Sequence, residues 1–92
     1  MKLIITTPNG STTYPDVQEV YLPGVLGGFT IMNNHAPLIS LLKQGDIRYV
    51  KGGRKESVRI PGGFVEVHDN TIRIISEQFV KPDTHEKITK PA

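Results

Sequence analysis

The chain has 92 residues, 37% of them apolar and 22% charged, with a formal net charge of +2 and no cysteine. One domain fits that length, and a domain so small buries only roughly 60–65% of the surface its unfolded chain exposes, so a deep catalytic cavity would compete with its core. The missing cysteine excludes disulfides, thiolate metal sites and a cysteine nucleophile, and no apolar run approaches the roughly 20 residues of a membrane span.

Met1 to Pro8 is too short and too soon interrupted for a signal peptide, so a soluble, cytosolic protein is expected. From there the chain shows short runs of period two cut by turn residues, which predicts an all-β domain. Leu3 and Ile5 share one face of a first strand that ends at Pro8-Asn9-Gly10. In 17–22, Val17, Glu19 and Tyr21 oppose Gln18, Val20 and Leu22, which predicts a strand covered on both sides. The glycine-rich stretch Pro23 to Gly28 reads as a hairpin tip, followed by a strand in which Phe29 and Ile31 alternate with Thr30 and Met32. The nearly continuous apolar run from Leu38 to Leu42, bounded by Pro37 and Gly45, reads as a buried strand rather than a helix. Ile47 with Tyr49, and Val58 with Ile60, flank a polar hairpin around Gly52-Gly53. Residues 64–67 and 72–75 flank His68-Asp69-Asn70-Thr71, where Asp-Asn suits a tight turn. The turns recur at roughly the 8–12-residue spacing of a sandwich or barrel. After Val80 the pattern fades, so residues 1–80 are expected to form the domain and 81–92 a polar, flexible tail.

Chemistry finds little footing in this pattern. His35, His68 and His85 show no metal-ligand spacing, and His35 precedes Ala36-Pro37, where the backbone is forced to be extended. No serine has the strand-turn-helix setting of a nucleophile elbow. The Gly24–Gly28 cluster lacks the Gly-Lys-Ser/Thr ending and the following helix of a phosphate loop. A non-catalytic chain without cofactor or metal is therefore expected. The alternative is a nucleic-acid-binding β-barrel, because Lys43, Arg48, Lys51, Arg54, Lys55 and Arg59 cluster in residues 43–59. Such a groove needs aromatic platforms, and only Tyr49 lies in that stretch, on the predicted core face of Ile47.

Several segments together carry a resemblance. They are Leu3 to Gly10, the segment Gly24 to Gly27, Ile31, the run His35-Ala36-Pro37-Leu38-Ile39, then Leu42, Gly45 and Ile47, and Gly62-Gly63-Phe64-Val65-Glu66-Val67 with Asn70. From Leu3 to Glu77 the sequence resembles the N-terminal β-sandwich of the ε subunit of F-type ATP synthase.

The resemblance implies a flattened ten-stranded sandwich in the central stalk that binds the γ subunit and the c-ring, couples rotation to ATP synthesis and does no bond chemistry. It implies c-ring contacts from Val25, Leu26, Gly27, Gly28 and His35, and γ contacts from His35, Pro37, Leu38, Ser40, Leu42 and Lys43. It also implies a peripheral subunit on the cytoplasmic face of the bacterial plasma membrane, monomeric when isolated. Many family members carry an acid where Gly28 stands and a proline where Asn33 stands, so a salt bridge from the tip is not expected here. The usual bacterial ε continues into two C-terminal helices. Only 15 residues follow Glu77, interrupted by Pro82 and Pro91, so a short form without that inhibitory helical hairpin is expected.

Overall fold

The structure, a computed structural model, describes residues 1–80. The expected tail and the missing helical hairpin both concern 81–92, outside the described residues. Nine strands follow one another: β1 (Lys2–Thr7), β2 (Gly10–Tyr14), β3 (Val17–Leu22), β4 (Phe29–Met32), β5 (Leu38–Leu42), β6 (Gly45–Lys51), β7 (Arg54–Ile60), β8 (Gly63–His68) and β9 (Thr71–Ile75). They form a five-stranded sheet, β2-β1-β9-β8-β5, and a four-stranded sheet, β4-β3-β6-β7. The all-β sandwich thus stands, with nine strands among the described residues where ten were expected. Val80 adds a β-bridge to Arg59 on the edge of β7.

The period-two pattern explains the core. Leu3 and Ile5 of β1, Val65 and Val67 of β8, and Ile72 and Ile74 of β9 point inward from one sheet, and Val20, Leu22, Ile47, Tyr49, Val58 and Ile60 meet them from the other. Burying each aliphatic side chain contributes roughly 1.5–3 kcal/mol, so these two inner faces dominate the folding free energy. The turns follow their residues: Gly52 and Gly53 (φ 59° and 76°), and Asp69 and Asn70 (φ 52° and 58°), supply the paired positive φ of two-residue hairpins. At Gly63 a side chain is excluded outright, because a Cβ there would overlap the carbonyl oxygen of Ile75 on the paired strand.

Three sequence expectations need correction. The polar strand β2, Gly-Ser-Thr-Thr-Tyr, was not anticipated: it has no apolar alternation, and it is held by its ladder to β1 from Leu3↔Tyr14 to Thr7↔Gly10. β3 is not covered on both sides. Its register to β6 shifts between Val17 and Glu19, and this bulge lets Val17, Val20 and Leu22 all reach the core despite their opposite parity. β5 is not a buried strand either. It lies at the edge of the five-stranded sheet, with Leu42 in the core, while Ile39 and Leu41 face outward.

Candidate interaction site

Pro23 to Gly28 connects β3 to β4 and forms a tight tip. Gly27 N–H donates to the Gly24 carbonyl at 3.0 Å, and Gly27 adopts φ 138° with open space around it. The turn pushes Leu26 wholly into solvent and leaves Val25 half exposed. An apolar tip of this kind has lost no water in the free domain and can lose it against a partner. Gly28, at the base of the tip, is covered by the ring of Tyr21, and any Cβ there would overlap the phenol. The Arg48 guanidinium lies over the other part of this arrangement, 5.0 Å from the Tyr21 ring centroid.

The segment expected to face γ divides by strand parity. Leu42 is 4% exposed and Leu38 packs against the core, so the Leu42 side chain belongs to the fold rather than to a surface. Ser40 shares their inward parity, and its hydroxyl donates to the Leu41 carbonyl at 3.4 Å. Pro37 is exposed just ahead of the strand, and Lys43 is exposed just after it. Lys43 N–H donates to the Pro23 carbonyl at 2.9 Å, and Val25 N–H donates to the Leu41 carbonyl at 3.0 Å. The far end of β5 is therefore tied to the tip.

His35 lies elsewhere. β4 runs between the tip and the His35 loop, and four strand residues span roughly 13 Å. His35 is exposed, its N–H donates to Met32 carbonyl at 3.2 Å, and its Nδ1 lies 2.7 Å from the Ala36 carbonyl. The same loop is anchored to the β8–β9 turn by Asn34 N–H donating to Asn70 Oδ1 at 2.8 Å. Tip and His35 thus lie beyond opposite ends of β4.

The outward face of the five-stranded sheet carries residues that the sequence reading did not single out. Leu41 is paired with Phe64, and Phe64 with Ile75, so three exposed apolar side chains lie side by side across three strands. Ile39, 78% exposed, stands two residues further along β5. An open groove of about 680 Å³ adjoins this stripe, lined by Pro8, Pro61, Gly62, Gly63, Phe64 and Ile75 among others. The signal was present in the sequence: Phe64 is out of phase with Val65 and Val67, and Ile75 is out of phase with Ile72 and Ile74.

The basic residues of 43–59 do not converge. Arg59 contacts Asp46 at 3.1 Å and Arg54 lies 4.0 Å from Glu56. Tyr49 is buried and its ring stacks on Tyr14 at 4.9 Å, so it is no base platform. Among the described residues no group of three or more His, Cys, Asp or Glu is placed to hold a metal ion, and no helix is long and apolar enough to cross a membrane.

Comparison with known proteins agrees with this architecture. Residues 1–82 match the family model described as ATP synthase, Delta/Epsilon chain, beta-sandwich domain. The ATP synthase epsilon chain of Desulfitobacterium hafniense (strain DSM 10664 / DCB-2) is 41% identical over 75 residues, covering 82% of this chain and 57% of that protein. That of Anaeromyxobacter sp. (strain K) is 38% identical over 77 residues, covering 84% and 58%. The chain therefore spans a little over half the length of these relatives. In fold it is similar to a chain of the Tetrahymena thermophila mitochondrial ATP synthase central stalk/c-ring structure (TM-score 0.76, 18% identity, 99% of this chain and 77% of that one). It is also similar to a chain of the Euglena gracilis mitochondrial ATP synthase OSCP/F1/c-ring structure (TM-score 0.82, 21% identity, 91% and 54%). With its two-sheet sandwich, glycine tip and His-Ala-Pro-Leu run, the chain belongs to the β-sandwich family of the ATP synthase delta/epsilon chain.

Proposed function

We propose that this domain is a non-catalytic joint of the ATP synthase rotor, gripping the γ subunit through the apolar face of its five-stranded sheet and resting its tip on the c-ring. In that position it passes proton-driven rotation of the ring to γ and so to ATP synthesis. It is peripheral to the membrane, on the cytoplasmic face of a bacterial plasma membrane. The observation that carries this reading is an exposed apolar tip residue, Leu26, standing beyond an exposed apolar row, Val25-Leu41-Phe64-Ile75, on one hydrogen-bonded sandwich. A coupling element needs two interfaces and a body that does not shear between them. Monomeric domains seldom leave contiguous apolar surface uncovered without a partner.

Within the proposal, Val25, Leu26 and Gly27 make the ring contact, with Gly28 shaping the base of the tip under Tyr21. Pro37 and Lys43 frame the γ contact at the two ends of β5. Leu38, Ser40 and Leu42 support it from the inward side, and His35 flanks it. The nucleic-acid alternative finds no support in a basic stretch that is split between an ion-paired face and a hairpin and has no stacking surface. Co-expression with γ from the same operon tests the reading. A stable complex at micromolar concentration is expected on size-exclusion chromatography, and elution of both chains as free species overturns it.

A further inference from the structure

The edge of β5 has a pairing direction that can be read from two hydrogen bonds. Leu41 carbonyl accepts from Val25 N–H at 3.0 Å and Lys43 N–H donates to Pro23 carbonyl at 2.9 Å, both on the side away from β8. Alternate residues of a strand direct their N–H and C=O groups to the same edge. Ile39 N–H, Ile39 C=O and Leu41 N–H therefore point to that outer edge as well. The Pro23–Val25 segment begins to pair there at the Gly24↔Leu42 bridge and then turns away, because Gly24 and Gly27 close the tip. Among the described residues, β8 is the one strand that pairs with β5, and no residue continues the outer ladder past Val25. β5 is thus an edge whose ladder is started and left open beside two exposed aliphatic side chains, Ile39 and Leu41.

Exposed, flat, apolar edges invite strand addition, and folded proteins ordinarily blunt them with charge or proline. Here Pro37 protects only the start, and the outward side chains in the middle of the strand are uncharged. We infer that an extended segment of the γ subunit, with aliphatic side chains at alternate positions, adds as a strand to the Ile39–Leu41 edge of β5. This rests on the γ-binding reading above and states how that contact is made. Main-chain hydrogen bonds to Ile39 and to the Leu41 N–H fix the segment, and its side chains pack beside Ile39 and against Val25, which itself holds the place next to Leu41 in the row of Leu41, Phe64 and Ile75. A second copy of this chain is a poor occupant. Two β5 strands paired antiparallel about Ile39 would drive His35 and Ala36 of each copy toward the Pro23–Gly24 segment of the other, which already holds the Leu42 position.

Amide exchange in the co-expressed γ complex reads the contact directly. The Ile39 and Leu41 amides are expected to exchange at least tenfold more slowly in the complex than in the free domain. A complex in which both exchange at the free rate overturns strand addition and leaves γ binding intact. Absence of any complex overturns both. Ile39→Pro removes a donor that β8 does not use, and Leu38 before it is already extended, as proline requires. Ile39→Ala keeps that donor. Ile39→Pro is expected to weaken γ binding at least tenfold beyond Ile39→Ala, with near-native circular dichroism in both. Equal losses overturn the inference, as does a γ-free dimer of the domain on size exclusion that Ile39→Pro abolishes.

Discussion

The two outward faces of the sandwich are built from the same kind of strand and carry opposite surfaces. The five-stranded face presents an apolar patch, Ile39, Leu41, Phe64 and Ile75, at its β5 end, with exposed Glu66 and Arg73 in register beside Ile39. The four-stranded face presents Glu19, Tyr21, Arg48, Lys55 and Arg59, with Met32 at its β4 edge. Arg59 meets Asp46, and Arg48 covers Tyr21, so the second face satisfies itself in water. The first cannot, because aliphatic side chains have nothing to exchange with solvent. An outward face that costs free energy in the isolated domain is informative about partners in a way that a solvated face is not.

The contrast is open to mutation. The largest effect belongs to the boundary between inside and outside on one strand. Ile74→Ala, which empties a fully buried position, is expected to cost about 3–4 kcal/mol in urea unfolding, whereas Ile75→Ala next to it costs under about 1 kcal/mol. Similar losses at both sites would mean that the five-stranded face is not open. Phe64→Asp sharpens the contrast in binding, with an expected loss of about 100-fold in affinity for γ by calorimetry and little change in melting temperature. Leu26→Ser at the tip is expected to weaken assembly with the c-ring about tenfold, measured as co-sedimentation with ring-containing membranes, and to leave γ binding alone. Arg48→Glu on the four-stranded face should change γ affinity less than about twofold, since an exposed charge away from an interface contributes little. A large effect of Arg48→Glu with none from Phe64→Asp would reverse the assignment of faces.

Much of the fold was legible because period-two burial is a local property. Leu3 with Ile5, Ile47 with Tyr49, and Val58 with Ile60 announce their strands, and Asp69-Asn70 announces its turn. β2 escaped because a ladder can hold a strand of serine and threonine that has no apolar face to display. The bulge in β3 escaped because it changes parity without changing composition. The candidate site was legible in place but not in orientation. The run 38–42 is aliphatic at four of five positions, so its own letters do not say which two face water. That is decided by β5 lying at a sheet edge beside β8, a contact some 25 residues away in the chain. Phe64 and Ile75 became part of the surface only through cross-strand register.

Sheet order also has a consequence in time. β1 pairs in parallel with β9, so Leu3 stands beside Ile72, and the five-stranded sheet joins the earliest strand to the last ones described. Pairings of such long separation close slowly, because the loop entropy is lost before the contacts repay it. The four-stranded sheet needs only the β3–β4 and β6–β7 hairpins and one β3–β6 pairing, all complete once β7 has been synthesised, but the other sheet must wait until β9 has emerged. Its outward face comes into being only at that last step. The ordering acts as a quality gate, since a half-made domain has no surface for its partner to seize.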